Sequence, residues 1–192
     1  MEEKTRAFIA IELEPEIKSI IHTFESKLIP KSPSGLRWVK TDQIHLTLKF
    51  LGDINKHQVE LISKAISQVA NENHAFNLNL AGTGVFPNWR NPRTLWIGLK
   101  KSEPLPRLFQ QLDAEIAKLG FSPEGKPFTP HLTLCRVSDS VAPHLVQPLQ
   151  KEFEAFPIES IPDWNIFEVV FFKSQLKPGG PIYTPISKHK LI

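Results

Sequence analysis

His45-Leu-Thr-Leu48 and His131-Leu-Thr-Leu134 are one tetrapeptide written twice, each time inside an apolar run. In a strand, side chains two positions apart share a face. His45 therefore projects with Thr47, and His131 with Thr133, while the four leucines point the other way and anchor the strands on a core. Imidazole titrates close to neutral pH, so one histidine can accept a proton while its twin donates one. Threonine hydroxyls can donate hydrogen bonds to phosphoryl oxygens. Two such pairs facing each other match the needs of in-line phosphodiester hydrolysis: a base for water, an acid for the leaving oxygen, and donors for developing charge. That set calls for no metal and no cofactor. A single His-x-Thr is usually an ordinary half-exposed sheet position. Its repetition at matching places in the chain is what points to function.

The elements that must position these pairs repeat as well. Ala7 to Leu13 reads as a buried strand, and Ile17, Ile20, Ile21, Phe24 and Leu28 fall at helical spacing. Strands follow at Leu36–Val39 and Ile44–Leu51, then a helix from about Lys56 with Val59, Ile62, Ile66 and Val69 inward. Phe76–Leu80, Gly82–Phe86 and Thr94–Leu99 read as strands. A third helix carries Leu105, Leu108, Leu112, Ile116 and Leu119, with Ser102 as the expected N-cap and Gly120 as the C-terminal cap. His131–Val137 is the second motif strand. Ser140 is the expected cap of a fourth helix through Leu145, Leu149 and Phe153, and strands at Trp164–Phe172 and Tyr183–Leu191 close the chain. The order helix, His-x-Thr strand, helix, further strands thus occurs twice, with the histidines about half a chain length apart. An α+β fold is expected, a single domain over 1–192 of two pseudo-symmetric, interleaved lobes. Each lobe is mostly antiparallel sheet with helices on its outer face, and the active-site cleft lies between them.

The chain has 192 residues with 41% hydrophobic and 22% charged residues, the balance of a soluble globular protein. A formal charge of +3 suits a polyanionic substrate without demanding one. The single cysteine, Cys135, excludes an internal disulfide and a cysteine-based zinc site, and it reads as an inert buried thiol. No run approaches the ~20 apolar residues of a membrane span, and the short Ala7–Ile11 run is not a secretion signal. The expectation is a cytoplasmic monomer with no membrane and no protein partner.

These residues resemble the 2H phosphoesterase superfamily, and within it the RNA 2′,3′-cyclic phosphodiesterases historically called 2′-5′ RNA ligases. Arg6-Ala-Phe-Ile-Ala-Ile11, Leu36-Arg-Trp-Val39, the first motif through Gly52, Gly84-Val-Phe-Pro87, Pro92-Arg-Thr-Leu-Trp96 and Pro127-Phe-Thr-Pro130 before the second motif carry the resemblance. It implies opening of a 2′,3′-cyclic phosphate at an RNA end to leave a 2′-phosphate, with 2′-5′ ligation as the reverse direction. It also implies His45 as general acid toward O3′, His131 as base toward water, and Thr47 and Thr133 as substrate-binding residues. In the family an aromatic after the first motif stacks on the terminal base and an arginine after the second contacts substrate; here these are Phe50 and Arg136.

Simple alternation disagrees with that last implication. Phe50 and Arg136 each stand an odd number of positions after a histidine, which places Phe50 in the core and Arg136 outside. A bulge would reconcile the two. Arg37, Lys40, Lys49, Arg90, Arg93, Lys126 and Lys173 are candidates for an RNA path. His22, His57, His74, His144 and His189 have no partner at metal-ligand spacing, and Trp38, Trp89, Trp96 and Trp164 read as core or cleft wall. A nucleotide-binding module of 2H type and a phosphodiesterase for a small cyclic nucleotide are the alternative readings.

Overall fold

A computed structural model describes residues 4–158, 161–178 and 180–192. Along the chain run β1 (Thr5–Glu12), α1 (Pro15–Leu28), β2 (Leu36–Trp38), β3 (His45–Ile54) and α2 (Lys56–Ala70). Then come β4 (Phe76–Leu78), β5 (Leu80–Phe86), β6 (Thr94–Leu99), α3 (Pro104–Lys118) and β7 (His131–Val137). The last elements are α4 (Pro143–Val146), α5 (Gln150–Glu154), β8 (Trp164–Ile166), β9 (Glu168–Lys177) and β10 (Gly180–Lys190).

The helices form where apolar spacing and end chemistry agree. Proline opens α1 at a position that needs no amide donor, and Ile17, Ile21, Phe24 and Leu28 line its buried face. Asn55 caps α2 in a reciprocal pair with Gln58, at 2.9 and 3.0 Å. Leu105, Leu108, Leu112 and Ile116 form the buried stripe of α3, and Gly120, with φ +90°, supplies the left-handed residue after its end.

Local structure departs from expectation at five points. The N-cap of α3 is Glu103 and not Ser102, and it makes no side-chain capping bond. The fourth helix is broken into α4, a 3₁₀ turn at Gln147–Leu149 and α5. Pro148, inside that turn, has no amide hydrogen to continue a helix. Ser140 is not its cap; Ala142 precedes α4, and the Ser140 hydroxyl bonds that of Ser138 at 3.0 Å. Phe76–Leu80 does not form one strand, because the chain leaves β4 at Asn79 and enters a different sheet in β5. Trp164–Phe172 likewise divides at Phe167 into β8 and β9.

The strands form one antiparallel sheet in the order β10-β9-β1-β3-β7-β6-β5, with β2 added on β7, and a separate β4-β8 pair. The halves of this sheet are joined where β3 pairs with β7 at Leu46↔Leu132. Strands cross between halves of the sequence. β2 lies on β7, and β9 lies on β1. The main core lies on the helix side, where Ile9, Leu46, Leu132 and Leu134 meet the buried stripes of α1, α2 and α3. A small second cluster of Phe8, Ala10, Val170 and Phe172, with Tyr183 against it, occupies the opposite face.

Candidate active site

Both motif strands bury alternate residues and then break the alternation at the same place. In β3, Leu46 and Leu48 are buried, His45 and Thr47 are half-buried, and then Lys49 is buried beside Leu48. In β7, Leu132 and Leu134 are buried, His131 and Thr133 are half-buried, and Cys135 is buried beside Leu134. The ladders give the reason. Ala10 pairs with Thr47 and Ile9 with Lys49, leaving Leu48 extra. Trp96 pairs with Thr133 and Leu95 with Cys135, leaving Leu134 extra. Each tetrapeptide therefore ends on a β-bulge, which reverses the parity of the residues beyond it. Phe50 and Arg136 emerge on the histidine face, both exposed. Lys49 is turned into the protein, only 3% exposed, where its ammonium meets Asp113 Oδ1 at 2.6 Å and the Ser122 carbonyl at 2.7 Å. It is therefore removed from any RNA path.

Counting outward from Leu46↔Leu132 sets His45 across from Thr133 and Thr47 across from His131. Opposed side chains in such a ladder stand about 5 Å apart and diagonal ones about 7–8 Å. By that register the two imidazoles take diagonal positions on one face, each opposite the other strand's threonine. The rings are held alike. His45 Nδ1 donates to the Gln43 carbonyl at 2.7 Å, and His131 Nδ1 donates to the Thr129 carbonyl at 2.8 Å. An Nδ1–H committed to a carbonyl leaves Nε2 of each ring for the cleft, as acceptor when neutral and as donor when charged.

The surroundings of the two histidines differ. Above Ala10, the His45 ring stacks on Phe8 (centroids 4.8 Å apart) and meets the edge of Tyr183 at 5.2 Å. Gln43 Nε2 donates to the Pro181 carbonyl at 2.6 Å. The β9–β10 hairpin leaves β1 at the Ala7↔Lys173 pair, far along the strand from Glu12↔His45. It must therefore arch back over the sheet face and cover His45. This burial pushes the His45 pKa below its ordinary value, with the Arg136 charge adding to the effect and the Gln43 carbonyl opposing it. His131 instead lies against Phe86 at 5.1 Å and Trp96 at 6.1 Å. The Trp96 indole is laid flat over Gly84, where a Cβ would come within 2.2 Å of the ring.

The sequence did not single out Phe8, Gln43, Tyr183 or Phe86. Phe8 looked like one more core residue of a buried strand, and the hairpin carrying Tyr183 is brought over the site by tertiary folding alone. Of the tryptophans, Trp96 is cleft wall and Trp164 is core, 1% exposed. His189 is buried between the Ser67 and Ser187 hydroxyls, both at 2.8 Å. Cys135 is a fully buried free thiol, its pKa pushed up to about 12 chiefly by burial. Among the described residues, no cluster of three or more His, Cys, Asp or Glu has metal-binding geometry.

The family described as LigT-like phosphoesterase matches this chain over residues 11–96 and 97–183. The RNA 2′,3′-cyclic phosphodiesterase of Methanothermobacter thermautotrophicus is 30% identical over 188 residues, covering 98% of this chain and 100% of that protein. The protein of the same name from Thermotoga maritima is 32% identical over 178 residues, covering 93% of this chain and 91% of its own length. Among solved structures, Escherichia coli LigT in its apo form superposes with a TM-score of 0.75 at 27% identity, covering 98% of both chains.

Proposed function

This chain belongs to the LigT-like phosphoesterase family, and we propose that it opens RNA 2′,3′-cyclic phosphates by acid–base catalysis between His45 and His131. The protein is an RNA 2′,3′-cyclic phosphodiesterase, a phosphoric diester hydrolase, in the sense of its named relatives. The observation that carries the catalytic reading is the matched pair of Nδ1–carbonyl bonds, which leaves Nε2 of each ring available for proton transfer.

In the proposed reaction the cyclic phosphate sits between the imidazoles. Neutral His131 Nε2 takes a proton from water as its oxygen attacks phosphorus. The bond to O3′ breaks, and His45 Nε2–H protonates the departing O3′, leaving a 2′-phosphate. The Thr47 and Thr133 hydroxyls donate to the non-bridging oxygens as charge builds on them. Phe50, 62% exposed on the same face, offers a surface on which the terminal base can stack. Arg136 supplies positive charge at the edge of the cleft. No step in this scheme draws on a metal. The substrate is an RNA end, and the working form is a cytoplasmic monomer; among the described residues no helix is long and apolar enough to cross a membrane.

The test is incubation with an RNA ending in a 2′,3′-cyclic phosphate, in EDTA, with the product end identified. A 2′-phosphate is expected, and a 3′-phosphate or no product contradicts the reading. His45→Ala and His131→Ala should each reduce turnover by about 10²–10⁴-fold. Near-normal turnover by either folded variant would remove that histidine from the mechanism.

A further inference from the structure

Arg37 and Arg136 are directly opposed across the β2–β7 ladder. Opposed residues project to the same face, and like charges so placed repel. That face is the catalytic one for both. Arg136 reaches it through the Leu134 bulge, and its charge acts on His45. Arg37 stands between Leu36 and Trp38, which both pack on the main core, so its own side chain points the opposite way. On the far side of Arg136 the ladder continues to Thr94. Two guanidiniums and a hydroxyl thus form one row across β2, β7 and β6.

Both arginines are exposed. Among the described residues, ion pairs are made by Lys31, Lys49, Arg93, Lys118 and Lys188, and none by Arg37 or Arg136. Two opposed cations without a carboxylate leave a strong local positive field, suited to an anion shared between them. Guanidinium forks match phosphate oxygens well. The row lies roughly 7–10 Å along β7 from Thr133, given about 3.3 Å per strand residue less the bulge. That separation is one a single nucleotide can span.

We infer that Arg37 and Arg136, with Thr94, form a second phosphate site holding the phosphodiester on the 5′ side of the reacting nucleotide, so that oligonucleotide ends are favoured over free nucleoside cyclic phosphates. The inference rests on the activity proposed above and extends it to substrate length. Arg37 is then a substrate-binding residue outside the catalytic quartet.

The experiment compares adenosine 2′,3′-cyclic phosphate with a short RNA ending in the same group, for the wild type, Arg37→Ala and Arg37→Lys. Arg37→Ala should lose on the order of tenfold in kcat/KM on the RNA, mostly through KM, as expected for one charge-assisted contact. On the nucleoside it should stay within about twofold of wild type, which also certifies the fold. Arg37→Lys should fall between. Direct anisotropy binding of the short RNA should weaken in Arg37→Ala, with a salt slope smaller by about one. Equal losses on both substrates, or no loss on the RNA, overturn the clamp. A wild type that binds RNA through Arg37 but turns over neither substrate would count against the activity and leave the clamp standing.

Discussion

An imidazole packed among aromatic rings beside a guanidinium gives up its proton more readily than one in water, and His45 is so placed. If it is the acid, it must carry a proton, so its contribution is present below its own pKa and lost as pH rises through it. In the free protein that pKa is lowered by burial first and by Arg136 among the charges. The falling limb of kcat/KM, which reports the free enzyme, should therefore lie below about 6.5, the ordinary histidine value. A bound phosphate anion favours imidazolium, so the limb of kcat should lie higher. Arg136→Gln should move the kcat/KM limb upward, whatever it does to the height of the profile. A limb that stays in place, or that vanishes in His131→Ala and persists in His45→Ala, would reverse the assigned roles. Sequence could bring the four motif residues to one face by alternation alone. Phe50, Arg136 and Lys49 were ambiguous because an extra residue inside a strand is written in the partner's register, not in its own side chains.

At the level of the element, the bulge in β3 comes with a buried charge. Lys49 is held by Asp113 of α3 at 2.6 Å, and the Asp113 carboxylate also accepts the Glu124 amide at 3.2 Å. Fixing Lys49 toward the helix layer is what turns Phe50 outward on the next position. Asp113→Asn would leave the buried ammonium with no counter-charge nearer than Glu124 Oε1 at 3.9 Å. Such a loss costs about 3–5 kcal/mol, readable as a lower urea midpoint. Lys49→Met combined with Asp113→Leu should recover most of it, since a packed apolar pair replaces the charges without leaving one exposed to a dry interior. Stability of Asp113→Asn within about 1 kcal/mol of wild type would mean the pair does not hold the bulge. The helix from about Lys56 was readable in advance from its stripe of Val59, Ile62, Ile66 and Val69, although its Asn55 cap was not singled out. The breaks at Asn79, Pro148 and Phe167 were not, because each depends on which sheet or turn the next residues join.

Over the whole molecule the strand order is symmetric about the β3–β7 junction for β1 and β6, then β9 and β5, while β10 lies beyond β9 without a counterpart on this path. The doubled pattern in the sequence foretold this symmetry. It did not foretell one shared sheet, because pairing between distant segments is a tertiary choice. The symmetry also explains an unpaired acid. Lys49 and Cys135 are counterparts, each coming directly after its bulge, and each has an acid from a helix near it, Asp113 in one half and Glu25 of α1 in the other. A thiol cannot answer a carboxylate as an ammonium does. Glu25 is 2% exposed, accepts a hydrogen bond from the Thr41 hydroxyl at 3.1 Å, and has no partner for Oε1 among the described residues. Burial raises its pKa from an ordinary 4.5 to about 7, with Thr41 pulling slightly the other way. Between those values the folded protein holds a proton that the unfolded chain has released, so stability falls as pH rises across this window. From the width of the shift the loss approaches roughly 3 kcal/mol. It is absent at pH 4 and complete by about pH 8. Glu25→Gln keeps an acceptor for Thr41 and cannot ionise, so its unfolding free energy should lack this decline and exceed that of the wild type most clearly on the alkaline side. Urea unfolding of both proteins at pH 5 and pH 8 measures the difference. Parallel pH dependence in the two would mean that Glu25 stays ionised in the folded state, with water or a neighbour supplying what Cys135 cannot.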